Sequence, residues 1–149
     1  MPDQDLPHAF YRVLRLYQLV GASLEAALES VAMTAHQYTV LSLIRMHSPV
    51  SSAEIARKLG ITAQSAGETI KSLEARELVK RTLLPENRRT HALGLTPQGR
   101  RALTRADKLV LAAEVRFFAR LSDAERKAFD GAIQRLRHPD GANPARDTA

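Results

Sequence analysis

The sequence predicts a mainly α-helical fold with one small β-hairpin, and three observations lead there. Apolar residues recur at steps of three and four through most of the chain, the period of helices that bury one face. In the middle, two short helical stretches are joined by a tight turn that contains a glycine. After them the period changes to short β-compatible runs around a charged tip that contains proline, and helical spacing then resumes.

The first element carries Phe10, Leu14, Tyr17, Gly21, Leu24, Leu28 and Val31 on one stripe, widened by Val13, Leu16 and Val20. A stripe that wide needs cover on more than one side, which a helix at the chain start obtains from a crossing helix or a second subunit. Thr34 caps the next helix, in which Tyr38, Leu41, Ile44 and Arg45 lie close to one face, and Ser48-Pro49 stops it. Ser51-Ser-Ala-Glu54 is a capping box: hydroxyl and carboxylate each accept from the other residue's backbone amide. It opens a short helix, Ser52 to Leu59, with Ile55, Ala56 and Leu59 on its apolar face and Gly60 at its end, where a left-handed residue is needed. Thr62 caps a second helix that buries Ala66, Ile70 and Leu73. Its other side offers Gln64, Ser65, Glu68, Thr69, Lys71 and Ser72, short or polar groups suited to approaching a groove.

Leu78 to Leu84 and Thr90 to Leu95 read as two short strands, with Pro85-Glu86-Asn87-Arg88-Arg89 as the tip of the hairpin, a wing. Thr96-Pro97 opens another helix as N-cap and first-turn proline. Its stripe runs Leu103, Ala106, Val110, Ala113, Phe117. Ser122 and Glu125 form a second capping box at the head of a last helix, with Phe129, Ile133 and Leu136 on its core side. After His138-Pro139 the composition turns to Asp, Gly, Asn, Pro and Ala, and a mobile tail is expected.

A length of 149 residues fits one domain. With no Trp and four Phe, the core falls to Leu, Ala, Val and Ile, which suit packed helices. The absence of cysteine removes disulfides, Cys-based zinc sites and thiol sensing. The acidic, proline-broken N-terminus lacks the pattern of an export signal and no apolar run approaches membrane-spanning length, so a cytoplasmic protein without a membrane partner is expected. His8, His36, His47, His91 and His138 are scattered without metal-site spacing, and no cofactor motif or catalytic constellation appears. No metal, no cofactor and no enzyme activity are therefore expected. The charge is unevenly placed: residues 1–75 carry 6 basic and 7 acidic groups, residues 76–108 carry 9 and 3, and residues 109–149 carry 7 and 6. The whole excess sits in the middle block, as it does where a surface faces a polyanion.

Taken in order, Gln37-Tyr38-Thr-Val-Leu41, Ser52-Ala-Glu-Ile-Ala-Arg-Lys-Leu-Gly60, Thr62-Ala-Gln-Ser65 through Ser72-Leu-Glu-Ala-Arg76, Arg88-Arg89 and Leu95-Thr-Pro-Gln-Gly99 closely resemble the MarR family of bacterial regulators. The similarity covers about residues 8–138. It implies a winged helix-turn-helix with N- and C-terminal dimerisation helices in a single domain: about 6–33 and 97–138 for dimerisation, about 35–96 as the DNA-binding lobe, and 139–149 as the tail. It further implies a homodimeric repressor of a pseudo-palindromic operator on double-stranded DNA, with the helix from Thr62 to Arg76 in the major groove and Arg89 in the adjacent minor groove.

The DNA-contacting residues expected on these grounds are Thr62, Gln64, Ser65, Glu68, Thr69, Lys71, Arg81, Arg88 and Arg89. Small ligands in the family bind between the dimerisation helices and the DNA lobe. That position implies Tyr11, Arg12, Tyr38, Arg45 and Phe117 as candidate contacts for an anionic or aromatic effector, with core or interface packing as the plainer alternative. Three residues depart from the family pattern: Glu68 where Arg is common, Asn87 where an Asp braces the wing arginine, and Glu77 where glycine follows the recognition helix. They leave open changed specificity, weaker binding, or an alternative function as a protein-interaction adaptor.

Overall fold

The computed structural model describes residues 8–84 and 87–137, without the side chains of 84–90. The elements run α1 (Ala9–Leu28), a 3-10 turn (Glu29–Val31), α2 (Ala35–His47), α3 (Ser52–Leu59), α4 (Ala63–Ala75), β1 (Val79–Leu84), β2 (Asn87–Leu95), α5 (Pro97–Phe118) and α6 (Asp123–Arg137). The mainly helical fold with one small β-wing is the one the sequence predicts. The chain forms two compact units, Met1–Ala113 and Glu114–Ala149, with α5 contributing to both.

In the first unit Leu28, Val40, Leu41, Ile44, Ile55, Ile70, Leu73, Leu93 and Leu103 are fully buried, so α2, α3, α4, the hairpin and the start of α5 close over one aliphatic core. The caps read from the sequence are made. Thr34 Oγ1 accepts from the Gln37 amide at 3.0 Å, and the Gln37 side chain returns to the Thr34 amide at 3.1 Å. Ser51 and Glu54 exchange the same pair of bonds at the head of α3, and Gly60 ends it at φ 65°. Thr62 Oγ1 accepts from the Ser65 amide at 3.1 Å.

Helix α4 ends in a Schellman motif: the Leu78 amide donates to the Leu73 carbonyl and the Glu77 amide to the Glu74 carbonyl, both at 2.9 Å. The motif puts Glu77 at φ 56°. Thr96 then ties α5 to this corner, its hydroxyl donating to the Glu77 carbonyl at 2.6 Å and accepting from the Gly99 amide at 2.9 Å. The backbones come so close here that a Cβ on Gly99 would run into the Leu78 carbonyl.

Two expectations need correction. The second strand begins at Asn87, not Thr90, so Asn87, Arg88 and Arg89 belong to β2 and not to a tip. The register explains this: Val79 pairs with Leu95 and Leu83 with His91, but Leu84 pairs with Asn87, a bulge that carries the strand onward. The side chains of Arg88 and Arg89, together with Pro85, Glu86, His138 and the 139–149 tail, lie outside the described residues.

The second correction concerns α6, where no residue is buried. Phe129 is half-buried against Phe118, but Ile133 is 39% and Leu136 79% exposed, because a unit made of one helix end and one further helix is too small to enclose the stripe. On the outer side of α4, Ser65, Thr69 and Ser72 are half-buried, the Thr69 hydroxyl donating to the Ser65 carbonyl at 3.1 Å.

Candidate nucleic-acid interface

Helix α4 is seated by three sets of contacts. Ala66, Ile70 and Leu73 fill the core beneath it. At its C-terminal end Gln37, reaching over from α2, donates from Nε2 to Ser72 Oγ at 2.9 Å and accepts from Arg76 Nη1 at 3.2 Å. Glu74 accepts from Arg81 Nε of β1 at 2.8 Å, which joins the helix to the root of the wing. Arg81, expected to contact DNA, is thus held against α4, although more than a third of its side chain remains exposed.

Gln64, Glu68 and Lys71 are exposed at steps of four and three, so they form one row along the helix. Gln64 Nε2 donates to Glu68 Oε1 at 3.0 Å. Thr62 is exposed too, but its hydroxyl already caps the helix.

Beside α4, β1 pairs with β2 while Lys80, Arg81, Thr82 and Leu83 all stand exposed. Among the described residues of the hairpin Val79, Ala92, Leu93 and Leu95 are buried, and Val50 adds a single antiparallel bridge to Leu93. The hairpin therefore projects from the core instead of lying on it. An α-helix that offers a row of polar side chains matches the width of the B-DNA major groove, and a basic hairpin beside it is placed for the backbone or the neighbouring groove. His8, His47 and His91 are exposed and His36 is half-buried. Among the described residues no three His, Cys, Asp or Glu side chains gather into a metal site, and no helix is long and apolar enough to cross a membrane.

The residues expected to line a ligand site divide. Tyr38 and Arg45 meet on Asp107 of α5: Tyr38 Oη donates to Oδ1 at 3.0 Å, and Arg45 donates from Nη1 to Oδ2 at 2.6 Å and from Nη2 to Oδ1 at 3.4 Å. Burial, and then the hydrogen bond to Asp107, push the Tyr38 phenol above its ordinary pKa, while Asp107 holds Arg45 more firmly charged. Asp107 was missed in the sequence. Its one signal there is that it is one of three acids in the basic block 76–108.

Tyr11 and Arg12 are exposed on α1. Phe117 belongs to the second unit, where its ring meets Phe118 edge-on at 5.1 Å. Phe118 in turn lies under Arg126, 3.7 Å from its ring, and Arg126 bridges Glu114 at 2.6 Å and Asp130 at 3.3 Å.

The model of the MarR family matches residues 33–90. Among curated proteins, the "Putative transcriptional regulatory protein for hcr operon" of Thauera aromatica is 33% identical over 108 residues, which are 72% of this chain and 65% of that protein. An HTH-type transcriptional repressor of Mycobacterium tuberculosis is 28% identical over 126 residues, 85% of this chain and 91% of the repressor. Among solved structures, the repressor CouR bound to a 23-mer DNA duplex superposes with a TM-score of 0.82 at 31% identity, covering 87% of this chain and 92% of CouR. CouR from Rhodococcus jostii RHA1 has also been solved with p-coumaroyl-CoA, with a TM-score of 0.80 at 25% identity over 92% of this chain and 96% of that one. The M. tuberculosis repressor has been solved with DNA, with a TM-score of 0.75 at 28% identity over 89% of this chain and 98% of that one. It has also been solved with salicylic acid, with a TM-score of 0.75 at 27% identity and the same coverage.

Proposed function

This chain belongs to the MarR family of transcriptional regulators, and from that premise we propose that it is a homodimeric repressor that binds a pseudo-palindromic operator and is released by a small anionic or aromatic ligand. It is a DNA-binding regulator and not an enzyme. The reading rests above all on α4, which the helix-turn-helix holds with a polar row turned outward beside a basic hairpin. Gln64, Glu68 and Lys71 are proposed for the major groove, with Thr62, Ser65 and Thr69 beside them. Arg81, Arg88 and Arg89 are proposed for the backbone and minor groove, with Arg89 deepest.

The dimer reading is supported by α1, where Phe10 is 84%, Leu14 62% and Tyr17 73% exposed in the single chain. An apolar face of that kind on a lone molecule marks an interaction surface, and a second copy supplies the cover that α6 also lacks. With two-fold symmetry, two α4 helices meet the duplex about one helical turn or a multiple apart. Release by a ligand is supported by the solved relatives that carry p-coumaroyl-CoA and salicylic acid. The Tyr38–Asp107–Arg45 cluster, with Tyr11 and Arg12 on α1, offers the cation and hydroxyl that such a ligand needs.

Footprinting of the DNA that the protein selects from a random pool tests the reading. Two equivalent half-sites with salt-sensitive affinity are expected. A single asymmetric site rules out the two-fold model, and no salt-dependent shift on any duplex favours the protein-interaction adaptor.

A further inference from the structure

We propose that Glu68, held in place by Gln64, is the residue of α4 that discriminates between bases, and that it selects an exocyclic amino group in the major groove, cytosine N4 above all. The assignment rests on the DNA-binding reading above and adds the chemistry that the helix asks of a base pair. Gln64, Glu68 and Lys71 are the polar side chains of α4 that stand exposed, whereas Ser65 and Thr69 are half-buried and the Thr69 hydroxyl is turned back onto the Ser65 backbone carbonyl. Whatever α4 meets first therefore meets this row.

Gln64 Nε2 donates to Glu68 Oε1 at 3.0 Å. That bond restricts the carboxylate to one orientation before any DNA arrives, which lowers the cost of ordering it on binding. It leaves Glu68 Oε2 as an acceptor. An ionised carboxylate offers no proton, so the phosphate oxygens that take most protein contacts repel it. Guanine, with O6 and N7, and thymine, with O4 and a methyl group, give it nothing to accept from. Two base-edge donors remain, cytosine N4 and adenine N6. Beside the adenine amino group lies N7, whose lone pair opposes the second carboxylate oxygen; beside cytosine N4 lies a C–H, so cytosine is preferred.

Lys71, three residues on, offsets the charge of Glu68, so the exposed row is close to neutral and adds little general attraction to DNA. Attraction falls to the basic block at 76–108. The division is thus between a hairpin region that grips any duplex and a helix that chooses among them, with Gln64 as the positioning residue for Glu68.

The test is selection of duplexes from a random-sequence pool by the full-length wild type and by Glu68→Gln, Glu68→Ala and Gln64→Ala. All three changes lie on an exposed surface, and thermal melting checks that the variants fold. The wild type is expected to enrich cytosine at one position in each half-site. In Glu68→Gln the preference there moves toward adenine, because an amide can pair with both N6 and N7. In Glu68→Ala discrimination at that position falls by about fivefold, while affinity for unrelated duplexes rises. Gln64→Ala weakens the same preference.

An unchanged base preference in Glu68→Ala, whatever its affinity, overturns the assignment, and so does an equal loss at every position of the half-site. If the wild type enriches no duplex, the DNA-binding reading falls and this assignment falls with it. If it enriches a site that all the variants share, only the assignment falls.

Discussion

Replacing Glu77 with glycine should make this protein more stable. Glu77 sits at φ 56° because the Schellman motif that ends α4 requires a left-handed residue there. A side chain with a Cβ in that region costs roughly 1–2 kcal/mol. Glycine removes the cost but frees the unfolded chain, which returns about 0.5–1 kcal/mol. The side chain of Glu77 is exposed, so little packing is lost. The net gain is roughly 0.5–1 kcal/mol, and a chain of this length turns that into about 1–4 °C of melting temperature.

Glu77→Ala is the control, since it removes the carboxylate but keeps the Cβ and therefore the strain. Thermal and urea unfolding of the three proteins at one common protein concentration provides the comparison, because the proposed self-association would make stability depend on concentration. If Glu77→Gly melts at or below Glu77→Ala, backbone strain is not what the glutamate imposes, and the reasoning fails.

Gly60→Ala is the converse case: at φ 65° with nothing within 4 Å of an added Cβ, the change meets no clash and should cost roughly 1–2 kcal/mol from the backbone alone, measured by urea unfolding. Asp107→Ala removes the shared acceptor of Tyr38 and Arg45; with Arg45 45% and Asp107 34% exposed, solvent screening limits the loss to about 1 kcal/mol. The same variant should lower the Tyr38 pKa in a spectrophotometric alkaline titration. Tyr38 has a raised folded-state pKa, so its contribution is complete below the unfolded value of about 10 and is lost as pH rises through the folded one; a wild-type stability curve without this alkaline loss contradicts the cluster. Glu54 and Glu125 are lowered by the amide and hydroxyl of their capping serines, so their contribution is present above about pH 4.5 and lost as pH falls through the lower folded values, and Ser51→Ala should flatten that acid limb. Gln37→Ala unties α2 from Ser72 and Arg76, and the expected cost is about 1–2 kcal/mol with faster amide exchange at the end of α4.

The features legible in the sequence were those whose causes lie within three or four residues. Ser51 and Glu54, and Ser122 and Glu125, complete each other's bonds across a single turn, and Thr62 accepts from the Ser65 amide in the same way, so the helix starts could be read to the residue. The α4 core line Ala66, Ile70, Leu73 followed from periodicity alone, and the family resemblance put Glu77 at a glycine position, where the structure has φ 56°.

The tertiary structure decided what depends on residues far apart in the chain. Asp107 finds Tyr38 and Arg45 across 69 and 62 residues, Gln37 reaches Ser72 across 35, and Arg81 turns back to Glu74 and is not left free on the wing. The same holds for the start of β2, which a bulge in its pairing with β1 moved forward to Asn87, and for the stripe of α6, whose apolar pattern foretold burial that one copy of the chain does not provide. Periodicity says which face of a helix seeks cover; which side chain or surface meets it is set by where the packed core carries the distant segments, and no local pattern encodes that.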